Sequence, residues 1–418
     1  MVLSDRLVAA DLVRQVAHWS AAATVFRDAE EFASSEAWRA VEDDVGLPLR
    51  RQLGSTVESL LALGREATVA ADSVSDGPSA RHAQSLVQRF RRQYVQVETT
   101  LDFFGAAVNS RRSPSLRVAL RSLDGLAVAS MRPPLVRAHK PVPPVLVYID
   151  KGLGASILRA GIRLWAPGTV NPVAAIKIVR HNLYRPTSLF HETGHQVAHL
   201  TGWNESVRAA IRNALGDDRE LQAMWAPWAT EIAADVFAFL HTGFAAVAAL
   251  YDVVGDARSI FRWPVGDPHP IGWLRTLLGC AMAEVTFPDE RSQPWHSLAM
   301  AMVAGHPLTG LDPVVRALLE RSQQRMPDLA RACLAAPVPA LDNRPMTTVL
   351  APARITPTAL AELERSAGPA LWTSAHWRRT EGIRIVALAG LREAEDPRSA
   401  GTWIGRARTW MTNQAAAA

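Results

Sequence analysis

The sequence predicts a mainly α-helical protein with a small β-sheet, an α+β fold, on three observations. Apolar residues recur at helical spacing over long stretches at both ends of the chain. Two short β-branched runs lie near the middle, and a strongly helical segment follows them. With 418 residues, 48% hydrophobic and 20% charged, the chain can form two or three domains with a sizeable core. These changes of pattern divide it into a helical N-terminal domain (1–138), a core (139–339) and a helical C-terminal extension (340–418).

Taken in order, residues 5 to 132 carry the helical period, as in Leu7, Leu12, Val13, Val16 and Trp19. Ser73 to Ser79 (SVSDGPS) reads as a loop between helices. The proline-rich stretch from Arg132 to Pro144 reads as a linker or an extended entry into the core. Val145–Ile149 and Ala174–Val179 read as short strands, and Ser156–Trp165 as a short helix or a third strand. An exposed edge of such a sheet could take up an extended peptide by strand addition. Pro186, Thr187 and Ser188 then supply first-turn and cap residues for a helix through His191. Beyond 340, Pro357–Ser366 and Ile383–Ala394 have helical pattern, and the chain closes on an alanine tail.

Composition excludes several classes. The 45 basic against 40 acidic residues leave a net charge of +5, too balanced to argue for a nucleic-acid partner. Arg89-Phe90-Arg91-Arg92 and Arg111-Arg112 read as solvated helix faces. No apolar run reaches the 18 residues of a membrane span; the longest, Phe237 to Leu250, is broken by His241, Thr242 and Gly243. The two cysteines, Cys280 and Cys333, rule out a disulfide scaffold and read as buried thiols. MVLSDRLVAADLVRQVAHW lacks the continuous apolar stretch of a signal peptide. The expectation is a soluble, cytoplasmic protein, with non-classical export compatible.

The chemistry concentrates in His191-Glu192-Thr193-Gly194-His195, an HExxH pattern. Histidines four apart on a helix lie about 40° apart around it and ~6 Å along it. Both imidazoles can therefore converge on one ion, with the glutamate beside them to deprotonate a metal-bound water. A zinc site of this kind needs a third protein ligand. The next helical candidate, WATEIAADVFAFL, carries Glu231 and Asp235 amid apolar residues, where unpaired carboxylates would be costly. Glu231 is the natural third ligand, and Asp235 is placed to fix the tautomer of a ligand histidine.

His199 continues the row of His191 and His195 but sits ~12 Å along the axis from the first, too far to share an ion. The metzincin spacing requires a histidine where this chain has Thr201. Trp203, Trp225 and Trp228 flank the proposed ligands, either lining a cleft or packing in the core.

These residues resemble the gluzincins, and most closely the family of the CAAX prenyl proteases and HtpX-type peptidases. The resemblance rests on HExxH, then Glu231-Ile232-Ala233-Ala234-Asp235, then Asp267-Pro268-His269-Pro270 with Arg275 six residues after the histidine. It covers roughly residues 140 to 285 and omits the family's membrane helices. His306-Pro307 is a second such pair but has Asp312 in the arginine's place. The resemblance implies a zincin-like core and peptide or protein substrates. It also implies that His269 and Arg275 face the substrate and stabilise an oxyanion. The competing reading makes Asp267-Pro268 a plain turn and Arg275 a surface ion pair.

The expected function is that of a zinc metalloendopeptidase. Zn2+ is held by His191, His195 and Glu231, Glu192 is the general base, and Asp235 supports a ligand. The N-terminal helical part would dock a protein partner or cover the cleft. The alternatives are a catalytically idle zinc-fold scaffold and a metallopeptidase effector delivered to other cells.

Overall fold

The structure, a computed structural model, describes residues 3–152, 154–160, 171–263, 267–288, 290 and 293–413. The chain is about 75% helical, with one three-stranded and one two-stranded sheet. It divides into two compact units: Met1–Arg117 with Pro143–Tyr148 and Leu158–Ala175, and Val118–Val142 with Ile149–Ile157 and Ile176–Ala418.

In the first unit three long helices, α1 (Leu3–Val25), α2 (Leu47–Asp72) and α3 (Gly77–Asn109), pack on one another. The buried face of α3 runs through Ala83, Val87, Phe90, Tyr94, Val97, Leu101, Phe104 and Val108. These are alternate steps of four and three, which keep a narrow stripe on one side of the helix. Arg89, Arg91 and Arg92 lie exposed around the buried Phe90. Arg111 does not follow them: it is 1% exposed and donates from Nη2 to the Val147 carbonyl at 2.8 Å. The loop before α3 is shorter than its composition suggests. Asp76 caps the helix by accepting from the Ser79 amide, and Pro78 fits the first turn, which has no use for its missing N–H.

Helix α4 (Pro114–Arg137) corrects the linker reading of Arg132–Pro144, because Pro133 and Pro134 lie inside its last turns. Proline removes the N–H that would bond four residues back. The Ser130 carbonyl left over by Pro134 accepts instead from His241 Nε2 at 3.1 Å. Strands β1 (Val145–Ile149), β2 (Ser156–Leu158) and β3 (Ala174–Ile178) form a sheet in the order β1-β3-β2. The rest of the expected element Ser156–Trp165 runs beyond Ala160, outside the described residues.

In the second unit α5 (Thr187–Thr201) carries the HExxH residues. Pro186 stands at its N-cap, so Thr187 and Ser188 lie inside the first turn and no side chain caps the end. Gly202, at φ 72°, ends α5 and lets α6 (Trp203–Leu215) begin at once. Helix α7 (Ala229–Thr242) is almost wholly buried against α5. Gly243, at φ 57°, breaks the apolar run and separates α7 from α8 (Phe244–Val254). Among the described residues no helix is long and apolar enough to cross a membrane.

Candidate metal centre

Helices α5 and α7 meet at a glycine. A Cβ on Gly194 would sit 2.9 Å from the Ala234 Cα and 3.0 Å from the Phe237 Cβ. Only a missing side chain permits that approach. It brings the histidines of one helix to the acids of the other.

His191 and His195 are one turn apart, and their Nε2 atoms lie 3.1 Å apart. Glu231 faces both, with one oxygen 3.3 Å from His191 Nε2 and the other 3.3 Å from His195 Nε2. The three ligating atoms lie within 4.8 Å of one another, and the group could hold a metal ion. One turn beyond Glu231, an Asp235 oxygen sits 2.8 Å from His191 Nδ1. That bond turns the Nε2 lone pair toward Glu231 and His195.

Helix α9 (Gly272–Thr286) adds Arg275 in its first turn. Its guanidinium grips Asp235 in a fork, Nε to Oδ2 at 2.6 Å and Nη2 to Oδ1 at 2.8 Å. Nη2 also reaches Glu231 at 3.4 Å. Arg275 is 8% exposed, so the surface ion pair is corrected to a buried one. Asp267 makes the expected turn, and His269 lies beside the cluster. Asp267 accepts from the His269 amide at 2.9 Å and sits 2.6 Å from its Nδ1. His269 Nε2 stands 3.7 Å from Glu231, on a side chain 56% exposed.

Three carboxylates, Glu192, Glu231 and Asp235, are thus set against one guanidinium and two imidazoles. Burial disfavours their charge, but Arg275 and His191 outweigh it and hold Asp235 well below the ordinary range. His191, Arg275 and His195 likewise outweigh burial to bring Glu231 down to about 2. Glu192 is pushed up to about 7, chiefly by burial. Burial also opposes an imidazolium at His191, yet Asp235 and Glu231 raise it to about 10, while burial lowers His195 to about 3. Two imidazole nitrogens and a carboxylate oxygen in this arrangement are a donor set that a divalent cation such as zinc fits.

A cavity of about 560 Å³ opens on this cluster. Glu192, Asp235, His269 and Arg275 give it polar groups, and Phe239, Val247, Leu250, Val253, Leu278 and Met282 give it apolar walls. Gly154 and Ala155, just before β2, line it too.

His199 is exposed and outside the group, and His306 lies apart, 3.2 Å from the Tyr251 hydroxyl. Trp203, Trp225 and Trp228 are fully buried and do not line the cavity, which makes them core residues. Cys280 and Cys333 are buried thiols, each pushed up to about 12 by burial. Gly194 and the Arg275–Asp235 fork were outside the sequence reading. The glycine's signal is its place inside HExxH, on the face turned toward α7.

Compared with protein-family models, with curated proteins and with solved structures, the chain matches none of them.

Proposed function

We propose that this chain is a zinc-dependent metallopeptidase of gluzincin type. The observation that carries the reading is the convergence of His191, His195 and Glu231 beside a buried Glu192, with His191 and Glu192 lining a cavity of about 560 Å³. His191, His195 and Glu231 would hold the ion. A bound zinc supplies Lewis acidity, which acidifies water and polarises a carbonyl.

The remaining roles belong to the chain's own side chains. Glu192 accepts the proton of the attacking water on its carboxylate and returns it to the leaving amine nitrogen. A proton affinity raised by burial suits both halves of that transfer. Asp235 holds His191 at Nδ1, and Arg275 holds Asp235, so Arg275 is a positioning residue. Its Nε and Nη2 are spent on Asp235, which leaves the oxyanion role of the resemblance to His269. Asp267 fixes the His269 ring with Nε2 turned toward the cluster. An idle scaffold would have no use for a third buried carboxylate at Glu192, since burying it costs stability and holds nothing.

The test is metal analysis of the purified chain together with hydrolysis of a denatured general protein substrate. Close to one equivalent of zinc, and activity abolished by a chelator and restored by zinc, is the expected result. Zinc without hydrolysis of any unfolded substrate would leave the scaffold reading in its place.

A further inference from the structure

A second cavity, of about 610 Å³, lies in the second unit and shares no lining residue with the metal-site cleft. Leu240 and His241 at the end of α7 face it, as do Leu126 and Ala129 of α4. Its other side is the start of α10 (Ala375–Glu395), which loses helical geometry at Glu381 (φ −124°, ψ 15°).

Arg378, on that stretch of α10, is 8% exposed and lines the cavity. Among the described residues no carboxylate, carbonyl or aromatic ring takes its guanidinium. Most of the residue is packed away while its nitrogens keep access to the cavity, so a guanidinium with no protein counter-charge faces that space. Its surroundings deepen the imbalance. Arg354, Arg379 and Arg384 line the same cavity, and Glu381 is the one carboxylate among the lining residues. Glu381 is already shared, taking Arg354 on both oxygens (3.1 and 3.0 Å) and Arg384 at 3.0 Å. Four arginines against one acid leave a surplus of three positive charges. His241 adds none, because burial lowers its pKa to about 4. Much of the remaining wall is apolar, with Val349, Leu350 and Ile355 joining Leu126, Ala129 and Leu240, beside Ser122 and Thr380.

We propose that this cavity is a binding site for a carboxylate carried on an apolar chain, with Arg378 as its buried counter-charge. The planar fork of a guanidinium matches a carboxylate with two parallel hydrogen bonds. The apolar wall takes the body of the same molecule out of water. A bare inorganic anion would use the charge and leave that wall wet. Nothing in this inference depends on the metal centre, so the two succeed or fail separately.

The experiment is calorimetric titration of the full chain with octanoate and with N-acetyl-Leu-Leu, each against its own uncharged amide. At least one acid is expected to bind saturably at a single site, with its amide at least about tenfold weaker, as expected for a charge-assisted bond. Which acid binds more tightly separates a fatty-acid source from a peptide terminus. Arg378→Gln should weaken the acid by about tenfold or more, leave the amide unchanged and leave the ligand-free melting temperature no lower, since a buried unpaired charge is gone. Glu381→Gln should tighten acid binding, an outcome that poor folding cannot imitate. Absence of saturable binding by both acids, equal binding of acid and amide, or acid binding unmoved by Arg378→Gln overturns the proposal. So does unchanged or weaker binding in Glu381→Gln.

Discussion

Two helix pairs in this molecule each meet over a glycine, α2 with α3 in the first unit and α5 with α7 in the second. On α2, a Cβ at Gly64 would lie 2.9 Å from Cζ of Phe90, the far end of a ring. On α5, a Cβ at Gly194 would lie 2.9 Å from the backbone Cα of Ala234. A ring tip gives way by a small turn about its own bonds, whereas a helix backbone moves only as a whole. The first pair is held by the volume of an apolar stripe. The second is set by backbone against backbone, and four titratable side chains meet across it.

The largest expected effect removes the polar half of that contact. Glu231→Ala should lose the metal, falling from near one equivalent to background, since two imidazoles alone hold zinc weakly. Full zinc content in that variant would strike Glu231 from the ligand set. Next is Glu192→Gln, which should keep the metal while hydrolysis falls by about 10³, because an amide cannot accept the water's proton. Hydrolysis near the wild-type rate would end the base assignment and spare the metal site.

Asp235→Asn tests the support behind the ligands. It keeps shape but loses the charge that Arg275 and His191 share, and metal affinity should fall about 10- to 100-fold. An unchanged affinity would mean that the Arg275–Asp235 fork is structural only. The glycine comparison itself is tested by twin substitutions. Gly194→Ala should destabilise by about 1–3 kcal/mol through overpacking, and weaken metal binding, because α5 is pushed off α7. Gly64→Ala should cost less than about 1 kcal/mol, its clash with a ring tip offset by the better helix propensity of alanine. Equal costs in denaturant unfolding would dissolve the distinction between the two pairs.

What could be read from sequence follows from how local each signal is. His191, Glu192 and His195 share one helix, so their spacing alone sets their geometry. Glu231 and Asp235 were visible because two acids in an apolar run need a reason to be there. The partner of Arg275 was not visible, because 40 residues separate it from Asp235 and no spacing rule spans a turn between helices. Proline 133 and 134 misled for a related reason. Proline ends helices when the orphaned carbonyl has no other donor, and here the donor is a histidine 111 residues away from Ser130. The mainly helical class with a small sheet was legible throughout, since periodicity is a property of each segment by itself.

That same histidine carries the smallest prediction, and it separates the two units by pH. His241 packs against the rings of Phe190 and Phe237 and gives its Nε2 proton to Ser130. Burial depresses its pKa from 6.5 to about 4, so the folded chain binds less proton there than the unfolded chain does between those values. Stability contributed by the neutral ring is therefore complete above about pH 6.5 and is lost as pH falls toward 4. At pH 5.5 the loss is about 1 kcal/mol, from one pH unit below the unfolded value. Buried polar side chains of the first unit such as Thr56 and Thr100 carry no ionisable group. In denaturant unfolding at pH 7 and 5.5, wild type should lose about 1 kcal/mol more than His241→Gln, whose amide can still donate to Ser130 without titrating. Equal losses in the two proteins would show that folding leaves the His241 pKa where it stands in the unfolded chain.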